Sequence, residues 1–375
     1  MFEVKRLKEI DWKLIPILFL LALISLVVIS SYSQSEVDSY SFFTPIVKQQ
    51  IIWYLGGFVI FFAVAIFDYR KLRDWSLFLY AITVISLIGL FFVDPIQNVH
   101  RWYRLPFVGA SFQPSEYAKL TTILILAWFL ERNEDRAHRF STALTALLIL
   151  FVPFFLILKE PDLGTSLVLV PIALGMFYFG GIHRKVVKTM TIGLVLGLVF
   201  VALKFTGAIP HEAFRPYATR FLKEYQYERL DPNTLHQRAA QTSIAIGGIG
   251  GAGIGKSEFA GNGWLPAPYT DSVFPSFGEE TGLMGLLSLL VLLYTLIFFA
   301  FKTVLVAKDP FGRLIAAGIA IYLAMHILIN IGMMIGFLPI TGVPLILVSY
   351  GGSSLLATMG ALGLLQSVYT RRFLF

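Results

Sequence analysis

Apolar runs of about 20 residues recur along the chain and constrain its fold more than any other feature of the sequence. Each run is long enough to cross the hydrocarbon core of a bilayer as a helix. Hydrophobic residues make up 57% of the 375 residues, and the mean hydropathy is +0.74. A water-soluble core cannot bury that much apolar surface. The sequence therefore predicts an all-α polytopic membrane protein, with a single transmembrane domain over residues 1–375.

Ten transmembrane helices are predicted. Their expected positions are residues 13–33, 50–67, 75–93, 115–130, 141–158, 163–181, 187–205, 276–301, 312–337 and 347–370. A polar stretch at about residues 206–275 predicts a large extracytoplasmic loop between helices 7 and 8. Within it, residues 211–230 interleave aromatic and basic residues at helical spacing, which favours a helix at the membrane interface over a plain surface helix.

Basic residues predict the orientation, because short cytoplasmic loops accumulate Lys and Arg. With the N-terminus inside, most of the 30 Lys and Arg residues fall in inside segments, so both termini are predicted to be cytoplasmic. The pI near 9.4 then reflects topology and contact with anionic lipids, and nothing requires a nucleic-acid partner. The absence of cysteine excludes disulfides, thiol nucleophiles and cysteine metal sites.

Three acidic residues lie where the eighth predicted helix begins, in LPAPYTDSVFPSFGEETG (residues 265–282). Pro275 suits the first turn of a helix, so Asp271 lies just before that turn, where the helix N-terminus favours an ionised carboxylate. Asp271 is either a functional residue or a helix cap. Glu279 and Glu280 lie about one turn inside the span, where an acid indicates a functional role or a buried ion pair.

Two residues of opposite charge, Glu116 and Lys119, lie three residues apart where the fourth span begins, in FQPSEYAKL. One interpretation is a structural ion pair or a lysine directed outward. The other is a cation held ready for an anionic headgroup. Arg101 and Trp102 add a donor and an interface anchor in the preceding outside loop.

Residues 337–354, FLPITGVPLILVSYGGSS, place Pro, Gly and Ser at membrane depth. Irregular backbone is tolerated there only where it is buried in protein or lines a cavity. The pattern therefore favours a re-entrant or broken segment beside a polar space over ordinary packing.

The run GGAGIGKS, residues 250–257, matches the P-loop pattern, but a P-loop needs a strand before it and a helix after it. No strand–helix repeat surrounds this run, which falls in the predicted external loop. A glycine-rich mobile hinge is the favoured interpretation. The outward cluster of acids and cations points instead to chemistry on, or transport of, a polar and anionic lipid-linked substrate.

Together these stretches resemble the SEDS family of bacterial cell-wall polymerases, the group that contains RodA and FtsW. The matching stretches are RW at 101–102, FQPSEYAK at 112–119, PDLGT at 161–165, QTSIAIGG at 241–248, YTDSVFPSFGEETG at 269–282 and NIGMMIGFLPITGVPLILVSYGGSS at 330–354. The resemblance covers nearly the whole chain, and its last stretch is the most specific. His326 and the wording ITGVPL favour the RodA-like branch.

The resemblance implies a peptidoglycan glycosyltransferase that polymerises lipid II on the outer face of the bacterial cytoplasmic membrane during cell elongation. Its expected partners are a class B penicillin-binding protein, which supplies transpeptidation, and other membrane proteins of the elongation complex. The donor would be a glycan chain on undecaprenyl pyrophosphate. The family's catalytic aspartate corresponds to Asp271, which we expect to act as general base for the acceptor 4-hydroxyl in an inverting transfer.

Asp271 is also the candidate ligand of a divalent cation, Mg²⁺ or Mn²⁺. The candidate substrate-binding residues are Arg101, Trp102, Gln113, Glu116, Lys119, Asp162, Arg215, Arg220, Glu280, Asn330, Ser349 and Ser353. A lipid II flippase is the alternative function, although a flippase should distribute polar residues through the inner half of the bundle. A scaffolding protein would need neither Asp271 nor Lys119.

Some positions depart from the family pattern. Where the family commonly reads LPEAHTD, this chain has Ala267 and Tyr269, and the usual QPDLGT begins with Glu160. Ser111 replaces the basic residue that often precedes FQPSE. These changes concern the surroundings of the site and leave Asp271 in place.

Overall fold

The computed structural model describes residues 4–33, 42–95, 99–105, 110–209, 215–216, 227–228 and 230–373. In these ranges the chain forms a helical bundle with one short antiparallel hairpin. The helices are α1 (Leu14–Ser33), α2 (Pro45–Ile66), α3 (Leu72–Gly89), α4 (Pro114–Arg132), α5 (Phe140–Lys159), α6 (Leu163–Phe179), α7 (Arg184–Phe205), α8 (Leu235–Gly247), α9 (Val273–Val306), α10 (Pro310–Met334) and α11 (Gly352–Thr370), and the strands are β1 (Tyr103–Leu105) and β2 (Ala110–Phe112).

The predicted all-α class is confirmed, and each predicted span overlaps one of α1–α7 or α9–α11. Seven helices in the described part of the chain are long and apolar enough to cross a membrane, so the count of ten crossings stays a prediction. α6 is apolar but has only 17 residues. α8 lies in the predicted large loop, whereas most of residues 211–230, the predicted interfacial helix, lie outside the described residues.

α10 lies at the centre of the bundle and contacts α4, α6, α9 and α11. Within the protein, 67% of its apolar stretch is buried, against 6% for α7. Small residues allow this close packing: a Cβ on Gly318 would lie 2.7 Å from the side chain of Ile123 on α4. A helix that is apolar on all sides is expected at such a central position.

Charged residues from the predicted inside segments meet at one end of the bundle. Arg73 pairs with Glu131 at 2.6 Å and with Asp309 at 3.1 Å, while Lys302 pairs with Asp11 at 2.8 Å. The Arg73 contacts join the start of α3 to the end of α4 and to the N-cap of α10, and the Lys302 contact joins α9 to the N-terminal segment. The segments predicted to share one side of the membrane therefore share one end of the structure.

Two interruptions of helical backbone lie towards the opposite end. α9 is broken at Gly282, which has φ 65° and ψ −164°. Residues 335–351, between α10 and α11, are non-helical and mostly buried. The irregular backbone predicted for 337–354 is therefore confirmed, although α11 begins only at Gly352.

Candidate functional site

A cavity of about 930 Å³ lies at the end of the bundle away from the charged cluster. Its walls come from the outside loop around β1 and β2, the turn before α6, the segment that leads into α9 and the non-helical segment before α11. Most of the predicted site residues line it, namely Arg101, Trp102, Gln113, Glu116, Asp162, Asp271, Ser349 and Ser353.

Asp271 lies on the cavity wall immediately before α9. The N-cap position of α9 is Ser272, one residue after Asp271. Its Oδ2 lies 3.5 Å from the place where a Cβ on Gly342 would be, and Gly342 has φ 76°. Glycine therefore permits both the turn and the open space beside the carboxylate.

Buried side chains fix the backbone around Asp271. Asn330 on α10 donates to the Asp271 carbonyl at 3.0 Å and to the Val343 carbonyl at 2.8 Å. Ser349 donates to the Thr270 carbonyl at 2.6 Å. Asn330 and Ser349, both predicted to bind substrate, therefore hold the segment that carries Asp271 through its main chain.

Glu116 and Lys119 form the predicted ion pair, with Lys119 Nζ 2.7 Å from Glu116 Oε1. Glu116 lines the cavity, and Lys119 lies beneath it with none of its side chain exposed. Lys119 Nζ also lies 2.8 Å from His326 Nε2 on α10. The spacing within α4 predicted the pair, but no local pattern links Lys119 to His326, which lies 207 positions away along the chain.

A chain of polar contacts organises the outer wall. Trp102 Nε1 donates to Gln113 Oε1 at 3.1 Å, and Gln113 Nε2 donates to Asp162 Oδ2 at 3.3 Å. Asp162 Oδ1 caps α6 by accepting from the Thr165 N–H. The Gln113 N–H donates to Ser353 Oγ at 3.1 Å. Four predicted binding residues thus belong to one connected network.

Glu160 is a buried acid beside this wall. Arg101 donates to the carbonyl oxygens of Glu160 and Pro161, so its guanidinium holds the turn through the backbone. The Glu160 side chain is 1% exposed, and neither carboxyl oxygen has a hydrogen-bond partner. Burial, reinforced by the charge of Asp162 and opposed by that of Arg101, raises the pKa of Glu160 to about 9. The group is therefore protonated at neutral pH.

Glu279 and Glu280 do not line the cavity, and neither forms an ion pair with any described residue. Glu279 accepts from the N–H groups of Phe259 and Ala260 at 2.8 and 3.1 Å. Glu280 accepts from the Gly255 N–H at 3.0 Å. The glycine-rich run predicted as a mobile hinge is therefore hydrogen-bonded to α9.

The two remaining candidates lie elsewhere. Arg215 is exposed and is not part of the cavity lining. Arg220 lies outside the described residues. Their role in substrate binding stays a prediction.

A bundle of apolar helices with a polar cavity at one end defines the class of this protein: a polytopic helical membrane protein. The FtsW/RodA/SpoVE model, described as "Cell cycle protein", matches residues 11–373, and the chain belongs to this family.

Curated relatives match over almost their whole length. The chain is 32% identical to the peptidoglycan glycosyltransferase MrdB of Escherichia coli K12, over 97% of this chain and 94% of that protein. It is 30% identical to the probable peptidoglycan glycosyltransferase FtsW of Trichlorobacter lovleyi, again over 97% and 94%.

Solved structures agree with this assignment. A chain of a peptidoglycan synthase complex that coordinates polymerization and crosslinking matches with a TM-score of 0.77 and 28% identity, over 97% of this chain and 98% of that chain. The rod shape determining protein RodA of Thermus thermophilus matches with a TM-score of 0.69 and 25% identity, with the same coverage.

Proposed function

We propose that this protein is a peptidoglycan glycosyltransferase that polymerises lipid II on the outer face of the cytoplasmic membrane during cell elongation. Its near-full-length relatives are peptidoglycan glycosyltransferases. The observation that carries the proposal is the placement of Asp271 on the wall of the polar cavity. A membrane-linked sugar diphosphate can enter such a site while its isoprenoid chain stays in the bilayer.

Asp271 is the general base in this proposal. The acceptor 4-hydroxyl attacks the anomeric carbon of the donor chain from the face opposite the diphosphate, which inverts that carbon. The hydroxyl proton passes to the Asp271 carboxylate, and the glycosidic C–O bond to undecaprenyl pyrophosphate breaks. A carboxylate is a weak base, so this step contributes about 10²- to 10⁴-fold to the rate, provided that Asp271 lies within hydrogen-bond reach.

Placement of the carboxylate therefore matters more than its basicity. Asn330 and Ser349 supply that placement, because they bond to the carbonyls of Asp271 and Thr270. In this proposal Arg101 and Trp102, which also line the cavity, contact the substrate. Lys119 pairs with Glu116, which lines the cavity, and so offsets a negative charge that would repel the anionic headgroup.

The described part of the chain alone supplies too few ligands in this site to hold a divalent cation. Among the described residues, no three His, Asp or Glu side chains are grouped closely enough to hold a metal ion. The residues present fit an ion carried by the substrate diphosphate, with Asp271 as a protein ligand. When bound, Mg²⁺ or Mn²⁺ neutralises charge that develops on the leaving group. A chelator should then reduce polymerisation and leave the melting temperature of the substrate-free protein unchanged.

The expected partner is a class B penicillin-binding protein, because a similar chain belongs to a complex that couples polymerization with crosslinking. Other membrane proteins of the elongation complex are expected to join it. In this arrangement both termini are cytoplasmic, and the cavity opens outside, where the partner's transpeptidase domain receives the new strand.

The test is polymerisation of lipid II by the purified protein with its penicillin-binding partner and a divalent cation. Asp271→Asn should lower the polymerisation rate about 10²- to 10⁴-fold while leaving the melting temperature unchanged. Asp135→Asn, at an exposed position near the other end of the bundle, is the matched control. Polymer at the wild-type rate from Asp271→Asn would remove the base assignment. Transfer of lipid II between leaflets without polymer would favour the flippase.

A further inference from the structure

The glycine loop, residues 247–255, and the turn before it expose large apolar side chains in what the sequence suggests is an external loop. Ile246 is 51% exposed, Ile249 is 74% exposed and Ile254 is 63% exposed. Residues 246–255 include no charged side chain, and the next residue, Lys256, is exposed. An apolar surface of this kind indicates a contact with lipid or protein and not with water.

The glycine loop packs against the break in α9. Gly282 leaves the helical conformation, so backbone groups on both sides of it need partners outside the helix. Four hydrogen bonds supply them: Ala252 N–H to Glu279 O at 2.9 Å, Gly253 N–H to Glu280 O at 2.9 Å, Leu283 N–H to Gly248 O at 2.9 Å and Met284 N–H to Ile249 O at 3.3 Å. The loop therefore lies at the same depth as residues 279–284 of an apolar helix long enough to span a membrane.

The backbone of the glycine loop has two further internal hydrogen bonds. The Gly251 N–H bonds to the Gly247 carbonyl at 2.8 Å, and the Gly255 N–H bonds to Glu280 Oε1 at 3.0 Å. Non-helical backbone enters a bilayer only when its polar groups are satisfied by protein. The approach also requires glycine, since a Cβ on Gly251 would lie 2.1 Å from the Glu280 carbonyl oxygen.

The exposed isoleucines continue an outward apolar surface of α9. Leu283 and Met284 are 49% and 66% exposed, and Met284 bonds through its N–H to the Ile249 carbonyl. At this depth the outward surface of a spanning helix meets acyl chains. Because the two surfaces are adjacent, the same acyl chains are the natural occupant of the surface around Ile249.

We propose that the glycine loop is re-entrant: it enters the outer leaflet of the bilayer, places Ile249 and Ile254 against lipid acyl chains and returns to the headgroup region at Lys256. The chain then continues directly into residues that line the cavity, including Ala260 and Leu265. The re-entrant loop therefore anchors one wall of the cavity in the membrane. A re-entrant loop also explains why glycines recur in GGAGIGKS, residues 250–257, without a role in nucleotide binding.

The test uses the absence of native cysteine, which makes single-cysteine variants of the full chain unambiguous. Ile249→Cys and Ile254→Cys are placed in lipid vesicles, with Lys256→Cys as the water-exposed reference and Leu283→Cys as the lipid-facing reference. We expect a water-soluble maleimide to label positions 249 and 254 about 10-fold more slowly than position 256, because thiolate formation and reagent access both fall in hydrocarbon. A fluorophore at these positions should be quenched by brominated acyl chains as strongly as at position 283.

Labelling at the rate of position 256 would overturn the proposal and place the loop in water. Slow labelling without quenching by brominated lipid would also overturn it, because protein would then cover the loop. Each isoleucine tests the proposal separately, so one variant that fails to fold does not remove the test. The measurement needs no substrate and is independent of glycosyltransferase activity.

Discussion

Asn330 shows how the site depends on residues beyond the cavity lining. Its side-chain amide joins the backbone of Asp271 to that of Val343. The family motifs select Asn330 and Ser349 as candidate substrate-binding residues. Their bonds to main-chain carbonyls depend on the fold of the non-helical segment, which no local pattern encodes.

Loss of the Asn330 amide should misplace Asp271 without removing its carboxylate. We predict that Asn330→Ala lowers kcat for lipid II polymerisation about 10- to 100-fold and changes KM little, since small displacements of a reacting group have effects of this size. Asn133→Ala is a matched control, because Asn133 also donates its amide to a carbonyl, that of Phe129 at 2.8 Å, but on the charged end of the bundle. Equal losses in the two variants would mean a general effect on stability.

The buried Glu160 carboxyl group should make the stability of the folded protein depend on pH. Burial, with the charge of Asp162, raises its pKa in the folded protein from the ordinary value of 4.5 to about 9. The unfolded chain releases this proton near 4.5, whereas the folded chain keeps it up to about 9, so stability falls as pH rises through this interval. Glu160→Gln removes the ionisation and keeps the shape of a neutral carboxyl group.

We therefore expect Glu160→Gln to melt at a higher temperature than the wild type, with a gap that widens from about pH 5 to about pH 9. Differential scanning fluorimetry in detergent across this range measures the gap. Glu134→Gln removes a carboxylate from an exposed position and serves as the control. A gap independent of pH would show that Glu160 does not change its ionisation on folding.

Among the helices, the break in α9 is the feature that could not be predicted from the hydropathy of the sequence. Hydropathy predicted one continuous span over residues 276–301, because Gly282 directly precedes a long apolar run and a single glycine is tolerated in a helix. The break becomes necessary only when the glycine loop supplies partners for the freed backbone groups. By contrast, Pro, Gly and Ser together revealed the irregular segment 337–354 directly.

Because α9 is broken at Gly282, two glycine-to-alanine substitutions should differ in their effect on the stability of the protein. Gly282→Ala forces a side chain into a positive-φ conformation with its Cβ 2.5 Å from the Gly251 nitrogen, so it should destabilise the protein by roughly 1–3 kcal/mol or more. Gly193→Ala lies in the interior of α7, where nothing lies within 4 Å of the new Cβ. It should be neutral or stabilising by up to about 1 kcal/mol.

Melting temperatures of the two purified variants in the same detergent give the comparison. A Gly282→Ala protein as stable as Gly193→Ala would mean that α9 runs through position 282 without a break. The glycine loop would then lose its partners on α9, and the proposal that it enters the bilayer would weaken with it.

For the whole molecule, the order and approximate bounds of the helices followed from hydropathy, because the length of an apolar run is set by the thickness of the bilayer. The arrangement of those helices did not follow. The central position of α10 and the meeting of Arg73, Glu131 and Asp309 join segments far apart in the chain. The charge rule nevertheless grouped these segments correctly at one end.

That grouping leads to a prediction about the two faces of the molecule. Lys308 follows α9 at the end that carries the charged cluster, while Lys256 follows the glycine loop near the cavity, and both are exposed. If the charged cluster is cytoplasmic, a membrane-impermeant maleimide should label Lys256→Cys in intact spheroplasts and Lys308→Cys only after permeabilisation. The two variants replace the same residue type in a chain without other cysteines, so each controls for the other. The reverse pattern would open the cavity to the cytoplasm, where a polymerase that builds the wall outside the membrane cannot work.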